Sequence, residues 1–193
     1  VAVLGIVTAV GSMISMALCP LLIKKLNERN AYILLSVYGF AASVFSFVIG
    51  HFWFQSPKNM VLTVLFYASL FLIGLQFGAV TLMPMIMTAD TVDYYEHETG
   101  KRMEGACYSI LTLTIKVCLA LGTAVGLIFV QKSGYYESLS AGTFTTKTKD
   151  IIFFAYTALP GILALLSIVP MFKYDIVGEK KAKISSDLAS RRK

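Results

Sequence analysis

The sequence predicts an all-α membrane protein with five membrane-spanning helices, and three observations carry that reading. Of its 193 residues, 56% are hydrophobic and only 15% are charged, against about a quarter charged in soluble domains. The apolar residues gather in five runs, at about 1–23, 31–54, 60–88, 106–130 and 151–172. Each is long enough at ~1.5 Å per helical residue to cross, or nearly cross, a hydrocarbon core about 30 Å thick. Lys and Arg collect in alternate connections: twelve lie in 24–29, 101–102 and 173–193, and four lie in 58 and 132–149. Under the positive-inside rule the richer side is cytoplasmic. This puts the protein in a cell membrane as a multi-pass chain, its N-terminus outside and its tail inside.

The first run does not begin with methionine and has neither a basic leader nor a small-residue cleavage site, so it reads as a span, not a signal peptide. The chain is expected to be part of a longer protein. Lys24, Lys25, Glu28 and Arg29 make a connection so short that the first two spans must be antiparallel neighbours. His51, Phe52, Trp53 and Phe54 end the second run as an aromatic belt, with His51 read as an interfacial residue. Residues 55–59, with Pro57, turn the chain back. In the third run Gly74 and Gly78 form a small-residue face, Pro84 invites a bend, and Gln76 and Thr81 are candidates for facing a cavity. Residues 90–104 then read as a charged connection and 131–150 as a polar one. Pro160 and Gly161 are expected to interrupt the last span, Pro170 to end it, and 173–193 to form a polar, basic cytoplasmic tail.

The fourth run contains one charged residue, Lys116, between Ala106 and Val130. It lies roughly 15 Å from the start of the run, near the middle of the bilayer, beyond the reach of snorkelling by a stem of roughly 6 Å. At about 100° per residue, Tyr108, Ser109, Thr112, Lys116 and Thr123 share an arc of roughly 100°. An ionisable residue on a narrow polar face at this depth is a functional-site candidate by default; the bland alternative is an ion pair between helices. Gly122 and Gly126 would allow a close helix approach on another side.

Several classes of chemistry find no support. The net charge of +6 is accounted for by topology and anionic lipid, and no basic soluble domain with interleaved aromatics points to nucleic acid. Cys107 and Cys118 would lie roughly 16 Å apart on one helix, too far to bridge, and Cys19 sits in another span. The carboxylates at Asp90, Asp93 and Glu96 alternate with Lys101 and Arg102 in a way that argues against a metal cage. No H-E-x-x-H, G-x-S-x-G or Walker pattern supports an enzyme, and no cofactor is expected.

The series Asp90-Thr91-Val92-Asp93-Tyr94-x-Glu96, Thr99-Gly100-Lys101-Arg102-x-Glu104-Gly105, Tyr108-Ser109 and Lys116 resembles the signature region of the glycoside-pentoside-hexuronide:cation symporters, the melibiose carrier-like family of major facilitators. The resemblance covers the central third of the chain closely. It implies part of the C-terminal six-helix bundle of a twelve-helix transporter, working by alternating access, with an N-terminal helical half as partner outside this chain. It further implies a small sugar as substrate and sodium or a proton as coupling cation. Lys116, Thr112 and Tyr108 would form the substrate and coupling site, and Asp90, Asp93, Glu96 and Arg102 a cytoplasmic gate. Leu111 stands where the melibiose carrier has glutamine and Thr81 where it has an aromatic residue, which argues against melibiose-type specificity. Two other readings stay open: a cation-coupled carrier of lysophospholipids, and a membrane sensor or subunit that transports nothing.

Overall fold

In the computed structural model, which describes residues 2–56 and 58–191, the chain is helical with no strand among the described residues. Pro57, expected to break the second span, lies outside them. Among the described residues, four helical stretches are long and apolar enough to cross a membrane: Gly5–Gln55, Met60–Thr99, Glu104–Lys132 and Thr146–Met171.

The first belongs to α1 (Ala2–Gln55), whose 54 residues would reach about 80 Å if straight. It is not straight. Asn27 has φ 63° and ψ 162°, a region nearly restricted to glycine, and there the chain folds into two arms, 2–26 and 28–55. The expected connection at 24–30 is thus reduced to one residue. Gly11 of the first arm and Gly39 of the second both abut α2 (Met60–Thr99), at Leu75 and Gln76 respectively, so the arms run antiparallel at the same level. An Asn in this conformation costs on the order of 1–3 kcal/mol. Replacing Asn27 by Gly is expected to raise the stability of the purified protein by about 1 kcal/mol, read as a higher unfolding midpoint; Asn27→Val should lower it.

Small residues let these three rods close. A Cβ on Gly74 would stand 2.4 Å from the Thr8 carbonyl oxygen, and one on Gly78 2.1 Å from that of Ser12. Ser46 and Ser69, both buried, share a 2.7 Å hydrogen bond between the second arm and α2. Such contacts substitute for the hydrophobic drive that lipid removes. Larger side chains fill the remaining gaps. Cys19, Ala31 and Met83 pack at one end and Ile49, Phe66 and Leu70 at the other. Trp53 stacks on Phe66 with ring centres 4.5 Å apart and donates to Thr63 Oγ1 at 3.0 Å. The aromatic cluster ending the second arm is therefore joined to the core, not only to the interface.

Helix α2 continues through Pro84 for 40 residues, about 60 Å and roughly twice the hydrocarbon thickness. Asn59 caps its start, accepting from the Val61 amide at 3.0 Å. Gly100, at φ 70°, ends it by donating to the Glu96 carbonyl at 2.9 Å, the left-handed glycine cap that stops many helices. Residues 90–99, expected as part of a connection, are consequently helical, and the link to α3 (Glu104–Lys132) shrinks to 100–103. No residue of α3 is buried; near its far end Phe129 meets Phe154 with ring centres 6.2 Å apart.

After α4 (Tyr135–Ser140), the last span runs in three pieces, α5 (Thr146–Tyr156), α6 (Ala158–Leu166) and α7 (Ile168–Met171). The breaks fall at Thr157 and Ser167, each three residues before a proline, and not at Pro160–Gly161. Proline lacks the N–H for the carbonyl four residues back and clashes with it, so the damage appears upstream. The span returns along the second arm, with a Cβ on Gly161 only 2.6 Å from that of Ser43 and the Tyr32 hydroxyl 2.8 Å from Ser167 Oγ. The expected polar tail contains a further helix, α8 (Gly178–Arg191).

Candidate functional site

The charged end of α2 presents two faces. At about 100° per residue Asp90, Tyr94 and His97 fall within roughly 60°, whereas Asp93 and Glu96 fall to one side. The side chains divide accordingly. On one face Arg102, from the link, gathers three carboxylates: Nη1 lies 2.9 Å from Glu96 Oε2 and 3.3 Å from Asp93 Oδ1, and Nε lies 3.1 Å from Glu104 Oε2. Glu96 and Glu104 hold the Arg102 guanidinium above its usual value. The side chains of Arg102, Asp93 and Glu104 are exposed and that of Glu96 is half-buried, so the network adds little to stability, and its partners can be exchanged at little cost. Asp93, Glu96 and Arg102 thus come together in one network, while Asp90 does not join them.

Asp90 instead faces α8. Its Oδ1 is 2.7 Å from Lys181 Nζ, which also donates to Glu28 Oε1 at 2.5 Å. Both carboxylates are buried, and the Tyr174 hydroxyl donates to Asp90 at 3.4 Å. One ammonium therefore ties the hinge of α1, the extension of α2 and the tail helix. Around it Ile184 and Leu188, four residues apart on one face of α8, pack with Ile176, Tyr94 and Tyr174. His97 Nε2 lies 3.1 Å from Asp187, and Arg191 donates to the His97 carbonyl at 3.0 Å. Lys180 sits 5.1 Å from the centre of the Tyr94 ring, a cation–π distance. Part of the tail's basic charge is thus used within the protein. From the sequence Glu28 reads only as part of a connection, and Tyr174, Lys181 and Asp187 are not singled out. The helix that carries Lys181 and Asp187 has a signal in the i, i+4 apolar pair Ile184–Leu188 within a basic stretch, which marks an amphipathic helix.

Burial lowers the affinity of Lys181 for its proton, but Asp90 and Glu28 outweigh it and raise the ammonium above its ordinary value. Burial, with the charges of Asp90 and Glu28, also raises the Tyr174 phenol. Both groups hold protons more tightly when α8 is docked. Their contribution is complete below the ordinary values of 10.0 and 10.5, and is lost as pH rises through the raised ones. Docking of α8 is therefore expected to hold full strength to about pH 10 and to weaken progressively above it, measured by spin-label distance between α2 and α8. Lys181→Ala leaves Asp90 and Glu28 buried without their shared ammonium. Removing one partner of a fully buried pair costs about 3–5 kcal/mol; because Lys181 is 36% exposed, roughly 1–3 kcal/mol is expected, read as early protease cleavage of the tail.

Lys116, Thr112 and Tyr108 lie on one face of α3, where with Gly105, Ser109 and Leu113 they line an open depression of about 390 Å³. The hydroxyl of Thr112 donates to the Tyr108 carbonyl at 2.8 Å and that of Thr123 to the Leu119 carbonyl at 2.8 Å, so both are satisfied within the helix. The Lys116 ammonium has no hydrogen bond or ion pair among the described residues. A fixed cation beside hydroxyls can bind a carboxylate, a sulfonate or sugar oxygens. The glycines differ too: Gly122 and Gly126 meet no atom within 4 Å among the described residues, whereas Gly74 and Gly78 are in tight contact. Gln76 is buried against Gly39, and Thr81 donates to the Phe77 carbonyl at 2.7 Å. His51, expected at the interface, pairs through Nδ1 with Asp150 at 2.9 Å, joining the second arm to α5. Among the described residues no three His, Cys, Asp or Glu side chains converge on a metal position.

Comparison with known proteins places these features in context. The family model for MFS/sugar transport proteins matches residues 1–178. The chain is 24% identical to the glucuronide carrier protein homolog of Escherichia coli K12 over 95% of its own length and 38% of that protein. It is also 24% identical to a putative sulfoquinovose importer of the same organism, over 94% of the chain and 36% of the importer. With the putative glycoside/cation symporter YagG, again from Escherichia coli K12, it shares 26% identity over 72% of the chain and 29% of the symporter. The chain thus spans about a third of the length of these relatives. No solved structure matches it.

Proposed function

Because the chain belongs to the MFS/sugar transport protein family, we propose that it forms the C-terminal part of a cation-coupled sugar symporter. The observation that carries this reading is Lys116: an exposed lysine near the middle of a membrane-length helix, on a face shared with Tyr108 and Thr112. An ammonium at that depth needs a polar partner. Substrate oxygens and carboxylates of an N-terminal helical half would supply it in turn, and that exchange links sugar occupancy to cation occupancy. The substrate class is a glycoside, pentoside or hexuronide. The relatives named for glucuronide and sulfoquinovose bring acidic sugars into that set, which the ammonium would favour. The coupling cation is sodium or a proton.

The charged end of α2 would act as the gate. Asp93, Glu96 and Arg102 form an exposed network able to trade partners as two bundles rock, a low-cost way to close one side. Asp90 takes a different part, holding α8 to the hinge of α1. The end of α2 carrying these groups, with α8, would face the cytoplasm, the N-terminal end of the chain lying outside.

The test is a linkage measurement on the purified full-length protein. Glucuronides, sulfoquinovose, neutral glycosides and pentosides are each titrated with and without sodium and across pH, following the unfolding midpoint. One sugar class should raise the midpoint, with its affinity increased by sodium or by protonation, and the cation's affinity increased by the same factor by sugar. If no sugar shifts the midpoint at millimolar concentration, or sugar binds equally well whatever the cation, the proposal fails.

A further inference from the structure

The first hairpin holds a groove for which transport gives no use. It has a volume of about 520 Å³ and lies between the two arms of α1, with Leu75 and Ala79 of α2 as its floor. Its walls are almost wholly apolar; Leu18, Leu21 and Leu34 stand 53%, 57% and 49% exposed along its rim. Tyr38 contributes its ring, because its hydroxyl is already committed to the Leu72 carbonyl at 3.0 Å. Among the described residues, Lys25 is the one charged residue on the lining. It stands at the mouth, two residues before the fold at Asn27, and its ammonium has no hydrogen bond or ion pair among the described residues. Lys24 beside it is exposed as well.

The dimensions select the occupant. From Ser15, at the inner end of the lining, to Lys25 is ten residues of helix, about 15 Å. That is about half of the ~30 Å hydrocarbon thickness, the depth of one leaflet. A sugar would leave the leucine walls without partners, and an extended peptide would bring backbone polar groups that these walls cannot satisfy. An acyl chain matches the length and chemistry of the walls, and a phosphate at its head matches an unpaired ammonium at the bilayer surface.

We propose that this groove is a binding site for an anionic phospholipid, which lays one acyl chain between the arms of α1 with its phosphate on Lys25. The site is separate from Lys116 and does not depend on which sugar or cation is carried. A lipid there would fill the space beneath the hinge and bind the conformation in which the two arms lie side by side.

The test uses the full-length protein in phosphatidylcholine nanodiscs containing a tenth of phosphatidylglycerol with a photoreactive acyl chain; phosphatidylcholine carrying the same chain replaces it in a parallel arm. Phosphatidylglycerol is expected to label Leu18, Leu21 and Leu34, and phosphatidylcholine to label them several-fold less. Lys25→Ala should cut phosphatidylglycerol labelling at these leucines about fivefold, the effect of losing one lysine at a membrane surface, while Lys25→Arg retains it. Labelling of Val61 and Leu65, exposed on α2 away from the groove, should not change and reports that each variant is folded. Equal labelling by the two lipids, absence of label in the groove, or a Lys25→Ala variant that labels like the parent would overturn the proposal.

Discussion

Replacing Gly78 by leucine is expected to abolish the folded protein. A Cβ at this position would lie 2.1 Å from the Ser12 carbonyl oxygen, and at Gly74 it would lie 2.4 Å from that of Thr8. These obstacles are backbone atoms, which cannot swing aside as the end of a side chain can. Extra methylenes in a packed core cost about 1–3 kcal/mol and sometimes more. Here the whole first arm must move off α2, opening the serine and glycine contacts that replace hydrophobic drive between helices in lipid. Gly78→Ala should already lower the unfolding midpoint, and Gly78→Leu should yield no monodisperse protein in detergent. Gly105→Ala is the control: nothing lies within 4 Å of the added carbon, and in the first turn of α3 it should leave the midpoint unchanged or slightly raised. Equal behaviour of the Gly78 and Gly105 variants would refute the packing described for α1 and α2.

The second large effect concerns Lys116. Alanine there should leave the fold intact, since no residue of α3 is buried and the lysine has no partner among the described residues. Gradient-driven sugar uptake should nevertheless fall at least tenfold, about 1.4 kcal/mol of lost coupling or binding. Lys116→Arg separates charge from shape. It keeps the cation but presents a planar, more weakly hydrated fork in place of a compact ammonium, and is expected to retain sugar binding while weakening the cation dependence. Near-wild-type uptake by Lys116→Ala would reduce the residue to a structural role.

Much of this was legible in the chain. Composition and the five apolar runs led to the helical membrane fold, and the 100° periodicity placed Tyr108, Thr112 and Lys116 on one face because a polar stripe stands out against an otherwise apolar helix. Gly74 and Gly78 were legible as a small face for the same reason. The opposite happened at 90–99, where density of charge suggested a connection. Its charges follow helical spacing, however, and the C-cap that ends α2 is Gly100, ten residues beyond Asp90. Missing that extension hid the division of the carboxylates, since only the helix puts Asp90 on the Tyr94–His97 face and Asp93 with Glu96 on the other. The Glu28–Lys181–Asp90 tie joins residues 153 and 91 positions apart, which no local pattern reveals. His51 likewise needed Asp150, 99 positions away. The fold at Asn27 was hidden because a single residue in a glycine-like conformation replaces the expected loop.

The most direct test of the central claim is accumulation of a labelled sugar in vesicles carrying the full-length protein, with a sodium or proton gradient imposed and then collapsed by an ionophore. A cation-coupled symporter should concentrate one sugar class above the external level only while the gradient lasts, with Lys116→Ala vesicles failing to do so. Uptake that stops at the external level whatever the gradient, or no uptake of any sugar by well-expressed protein, would contradict it.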